Sequence, residues 1–161
     1  MQTSHESRNK KLEMLLWSIA LPGFGQLLNK HYIKGIFFVI LEFIINVNGN
    51  FNTIIVLSFN GKTLEAVEQT NYLWLMFYPC LYFFAMWDAF RDAGGGKRSY
   101  SFMPFVFSAY FVTLGLIFSP GLRLFGILPG PMWLPILFLP LGLAVGFLIQ
   151  FILLRGKIDK R

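Results

Sequence analysis

Four long apolar runs, residues 33–59, 72–90, 102–119 and 132–154, constrain this chain more than any other feature. A helix needs about 20 residues, usually roughly 17–25, to cross the hydrocarbon of a bilayer, and each run meets that length. The rest of the composition agrees. Hydrophobic residues make up 55% of the 161 and charged ones 14%, whereas an average soluble domain is about a quarter charged. Nineteen Phe are too many for a domain of this size to keep from water. The expected fold is an all-α membrane protein forming a single domain over 1–161, with the lipid bilayer as its first partner.

A fifth apolar segment precedes these four and is shorter. Residues 14–28 would reach about 22 Å as a helix at 1.5 Å per residue, and Pro22, Gly23 and Gly25 interrupt it. Charge gives its topology. Of the 14 Lys and Arg, only Lys62 and Arg123 lie in the connections after the second and fourth segments. If segment one dips in and returns, the other 12 share one side; if it crosses, the split becomes nine to five. Basic loops stay in the cytoplasm. We therefore expect four transmembrane helices preceded by a re-entrant or interfacial hairpin at 12–30, with both termini cytoplasmic. Five transmembrane helices is the alternative. The segment has no small-x-small cleavage pattern, so it reads as retained and not as a signal peptide.

Several function classes have no residues to support them. Cys80 is the sole cysteine, and His5 and His31 share no ligand spacing with it, so no metal site is expected. There is no H-E-x-x-H, G-x-S-x-G or Walker loop to nominate a catalytic residue or a cofactor. Gly94-Gly95-Gly96-Lys97-Arg98 lacks the strand and spacing of a phosphate loop. The net charge of +6 reads as an orientation signal and not as a nucleic-acid surface.

Three polar or small-residue sets need a reason to be where they are. Glu42, Asn46 and Asn50 recur every four residues and would share one helix face. A carboxylate at a helix centre costs roughly 2.5–3.5 kcal/mol or more. The stripe could line a polar cavity for a cation, a proton or a small ligand; or its groups could hydrogen-bond across a bundle, or Asn48-Gly49-Asn50 could be a local helix break satisfied by its own side chains. Asp88, Arg91 and Asp92 end the third run; they read as an interfacial helix end, as a cytoplasmic docking knob, or as a lock onto Lys30 or Lys34. Gly142 and Gly146 form a G-x-x-x-G in the last run, suited to close packing within the chain or to a homo-oligomer. Pro135 and Pro140 beside it are expected to kink that helix.

The joint of the first segment, Pro22, Gly23, Gly25, Gln26, Asn29 and Gly35, has its own logic. The glycines permit close backbone approach, and the two amides can satisfy free carbonyls at a turn. The string Pro22-Gly23-Phe24-Gly25-Gln26-Leu27-Leu28-Asn29, then Lys34-Gly35, resembles the P-G-x-G-Q-x-x-N…K-G hairpin of many small bacterial membrane proteins. That hairpin is similar to the two-transmembrane-helix hairpin domain family, whose joint reads G-x-G-x-H-x-F-Y-x-G. Here Gln26 stands at the histidine, Leu27 and Leu28 at the aromatics, and Lys30 at a glycine. Trp87-Asp88-Ala89-Phe90-Arg91 is similar to the W-D-A-x-R ending of Gram-positive relatives. The resemblance implies a bacterial plasma-membrane location and a helix-turn-helix start, and it implies no activity. The functional expectation is a non-enzymatic accessory, scaffold or regulatory subunit with a protein partner in the membrane. The alternative is a small transporter or channel subunit using Glu42 and the asparagines.

Overall fold

The computed structural model describes residues 2–158, and the side chains of 7–157 among them. Lys160 and Arg161, counted above with the basic C-terminal tail, lie outside the described residues. Within them every named element is a helix. The helices are α1 (Gln2–Ala20), α2 (Phe24–Leu28), α3 (Tyr32–Gly49), α4 (Phe51–Phe59), α5 (Thr63–Gln69), α6 (Tyr72–Leu75), α7 (Tyr78–Asp92), α8 (Met103–Phe118) and α9 (Gly130–Ile158). The only extended pairing among them is an isolated bridge, Leu124 to Ile127.

Three helical stretches are long and apolar enough to cross a membrane: Tyr32–Gly49, Tyr72–Asp92 and Gly130–Lys157. A fourth, Met103–Phe118, is apolar but has 16 residues, about 24 Å of helix. The exterior of these helices is itself apolar. Ile33, Phe43, Leu73, Val56 and Phe147 are all more than half exposed, an arrangement that water does not favour.

Pairwise contacts set the direction of each helix against α7. Tyr82 donates to the Ile19 carbonyl, and Gly94 lies against Lys11, so α1 runs antiparallel to α7 from its C-terminal end inward. The chain then turns at Leu21–Gly23 and comes back. Gln26 bonds at Ala85 and Asp88, Asn29 at Ala89, and His31 reaches Asp92. Lys11 and His31 thus flank the same end of α7, and residues 12–30 form a hairpin that runs along α7 and back. From there α3 descends antiparallel to α7: Phe38 packs on Phe84 and Gly49 on Leu75. At the far end α4 and α5 make a second hairpin. Trp133 donates to the Ser58 carbonyl and Tyr72 bonds Ser119 there. The helices α8 and α9 complete the bundle, and Gln150 returns to the Ser99 carbonyl at the end where α1 began.

Local chemistry explains where the helices break. The second apolar run does not continue as one helix. It stops at Gly49, because Asn50 takes φ 58, a left-handed conformation that asparagine tolerates better than most residues. The third run has a turn at Met76–Phe77 before Pro79, which lacks the N–H that would bond the Leu75 carbonyl. In α9 the helix runs unbroken through Pro135 and Pro140. The closest helix pair is α8 on α9, where glycines remove the side chain at the crossing. A Cβ at Gly142 would lie 2.8 Å from Ser108 Cα, and one at Gly146 would lie 2.8 Å from the Met103 carbonyl oxygen. The G-x-x-x-G patch is therefore filled from within the chain.

Candidate functional site: the hairpin clamp on α7

The joint residues and the acidic end of α7, nearly 60 residues apart in sequence, form one cluster. Its floor is built from small residues. Ala85 and Ala89, one turn apart on α7, are fully buried, and Gly25 lies against Ala89. A Cβ there would come within 2.6 Å of the Ala89 methyl and 2.8 Å of the Met14 carbonyl oxygen. Gly23, at φ 107, has the backbone conformation and the lack of side chain that let it meet Gly35 of α3; a Cβ there would fall 2.8 Å from Val39 Cγ2. Pro22 is buried beside it.

This close approach brings polar side chains onto α7. Gln26 is fully buried, and its Nε2 donates to the Ala85 carbonyl at 2.8 Å and to Asp88 Oδ2 at 3.2 Å. Asn29 Nδ2 donates to the Ala89 carbonyl at 2.9 Å. Both amide oxygens, Gln26 Oε1 and Asn29 Oδ1, are buried without a partner among the described residues. The Asp88 carboxylate is 5% exposed and is the centre of the cluster. Lys34 Nζ donates to both of its oxygens, at 3.1 and 3.3 Å, and Arg91 donates to Oδ1 at 2.8 Å. Lys34 also reaches Asp92 at 3.0 Å, and His31 Nε2 lies 3.4 Å from the same carboxylate. An almost buried carboxylate is tolerable only when paired and hydrogen-bonded, and here one amide and two cations do that work.

Asp88 is thus spent inside the fold, on Lys34, and does not face solvent as a docking knob; Arg91 remains half exposed. Sequence reading did not find Ser18 and Met14 of α1. Both are buried under Gly25. A small polar residue one turn from an apolar one within a helix carries no signal of its own.

The Glu42 set lies apart from the clamp. Gly35, Phe38, Glu42, Ile45 and Gly49 form the buried seam of α3. Glu42 Oε1 accepts from Asn46 Nδ2 at 3.3 Å, and no cation pairs with it among the described residues. Asn50 does not extend the stripe. With the helix ended, its side chain turns to the Gln69 carbonyl at 2.9 Å. Two clefts are lined mainly by hydrocarbon, about 590 Å³ between α7 and α8 and about 340 Å³ among α4, α7, α8 and α9, while one of about 480 Å³ on α1 has Asn9 and Glu13 at its edge. No group of three His, Cys, Asp or Glu suited to a metal occurs among the described residues.

The fold and cluster define a class: an all-helical chain, apolar on its exterior, with three helices able to cross a membrane and a hairpin clamped to the middle one. Comparison by sequence and by structure finds no matching family model, curated protein or solved structure.

Proposed function

We propose that this chain is a non-enzymatic integral membrane protein of the bacterial plasma membrane, acting as a scaffold, accessory or regulatory subunit of a membrane complex. Four helices, α3, α6–α7, α8 and α9, cross. The α1–α2 hairpin is re-entrant, and both termini are cytoplasmic. Placing the basic residues in the fold supports this topology. Lys10, Lys11, Lys30, Lys34, Arg91, Lys97, Arg98, Arg155 and Lys157 belong to one end of the bundle, and Lys62 and Arg123 to the other, the asymmetry of a positive-inside protein.

The observation that carries the role is how the polar groups are used. Those at the joint are consumed in holding the hairpin to α7. The clefts between α7 and α8 and among α4, α7, α8 and α9 are walled mainly with aromatic and aliphatic side chains. Such a chain offers shaped surface, where catalysis would want converging polar groups beside a pocket. Affinity purification of the tagged chain from native membranes, followed by mass spectrometry, tests it. The expected result is a fixed membrane-protein partner that is lost when Gly25→Leu displaces the hairpin. A chain that purifies alone would refute it.

Glu42 supports a second reading, a small transporter or channel subunit, because its buried carboxylate has only Asn46 as a donor among the described residues. Flux in liposomes that disappears in Glu42→Gln would favour that reading.

A further inference from the structure

The cleft between α7 and α8 differs from the other helix contacts. The bundle closes on glycines at α8–α9, but α7 and α8 are held apart by large rings. Trp87 and Phe105 lie 5.6 Å apart between centroids, and Phe90 and Phe105 6.2 Å. The gap below them, about 590 Å³, is the size of a small-molecule site. It opens to the side, past the half-exposed Phe84, Val106 and Tyr110.

The Gly94–Arg98 run packs on the rings at one end of the cleft. Gly95 rests on the Phe90 ring and Gly96 on Trp87; a Cβ at Gly96 would lie 2.6 Å from Trp87 Cη2. The loop is thereby folded down onto these rings, and Lys97 and Arg98 follow directly, both exposed. Lys157 joins them by donating to Ser99 Oγ at 3.4 Å. Charge at this end of the bundle is unevenly balanced. Lys34 and Arg91 are neutralised by Asp88 and Asp92 at the hairpin, whereas Lys97 and Arg98 have no carboxylate within ion-pair distance among the described residues.

We propose that the α7–α8 cleft binds an acyl chain of an anionic phospholipid whose phosphate is held by Lys97 and Arg98. The proposal rests on the membrane reading above. Cations over an apolar cleft between helices at the cytoplasmic face match an anion that carries a hydrocarbon tail. A transmembrane helix of a partner would need a floor of small residues for close approach, and this one is dominated by the rings of Phe83, Phe84, Trp87, Phe102, Phe105 and Tyr110.

The test is quenching of Trp87 by phospholipids with brominated acyl chains. The full-length chain is reconstituted in phosphatidylcholine vesicles, and the Trp87 signal is the difference between wild type and Trp87→Phe. Brominated phosphatidylglycerol, as a minor component, is expected to quench about tenfold more per mole than brominated phosphatidylcholine at low salt, with the preference shrinking as salt rises. Lys97→Gln with Arg98→Gln should bring the two lipids close to parity. Equal quenching by both lipids in the wild type, or a preference untouched by salt, would overturn the proposal while leaving the membrane reading intact. Failure of the chain to float with vesicles of either composition would overturn both.

Discussion

Asp88→Asn is the substitution that most directly probes the clamp. The side chain keeps its shape and one neutral acceptor but loses the charge that Lys34 and Arg91 share. The bond from Gln26 is fully buried, and a hydrogen bond to a charged group contributes about 1.5–3 kcal/mol. The Arg91 pair lies within α7 and survives undocking, and Lys34, on α3 just after the hairpin, is 44% exposed and recovers water when the charge goes, so it adds no more than about 1 kcal/mol. Allowing for the acceptor that remains, docking of the hairpin should weaken by about 2 kcal/mol, near thirtyfold in its equilibrium constant. Met14, 4% exposed inside the hairpin and one turn from Lys11, offers a reporter. In a Cys80→Ala background, Met14→Cys should be slow to react with a water-soluble maleimide, and adding Asp88→Asn should speed that reaction by roughly thirtyfold. Lys62→Gln, which removes an exposed pair with Glu65, is the control and should change nothing. An unchanged rate in Asp88→Asn would refute the idea that this carboxylate holds the hairpin.

The same thiol assay should show Gly25→Ala undocking the hairpin, at a cost of about 1–3 kcal/mol for the overpacked methyl. Ala89→Gly should restore it only in part, because the Met14 carbonyl still blocks the new Cβ. Gly146→Val should lower the thermal stability of the detergent-solubilised protein while leaving its sedimentation unchanged, since α8 already covers that glycine. Glu42→Gln keeps an acceptor for Asn46 and should alter stability by less than about 1 kcal/mol; thermal unfolding in detergent checks this, and a larger loss would mean that the charge itself is used.

The local devices were legible in the sequence because their chemistry is local. Pro22, Gly23 and Gly25 read as a joint, and Gln26 and Asn29 as amides that satisfy carbonyls at a turn. The carbonyls they satisfy, on Ala85 and Ala89, could not be read, because no periodicity pairs residues about 60 positions apart. Lys34 was one of two candidate partners for the α7 end, and geometry alone selects it over Lys30. The Glu42–Asn46–Asn50 stripe needs an unbroken helical period; the chain takes the other course open at Asn48-Gly49-Asn50, a break, because Asn50 turns left-handed. The polar residues before Leu12 join α1 with no apolar pattern to announce them. Lys97 and Arg98 read from sequence only as orientation charges, because the seating of Gly96 on Trp87 just before them is a tertiary contact.

Sidedness of the first segment is the most direct test of the whole arrangement. Single cysteines at Asn9, Glu65 and Lys97 in the Cys80→Ala chain would be exposed, in intact cells, to a maleimide that cannot cross the membrane. A returning hairpin leaves positions 9 and 97 protected and position 65 labelled. Labelling of 9 together with 65, with 97 still protected, would mean that α1 crosses, and the re-entrant clamp on α7 would be wrong.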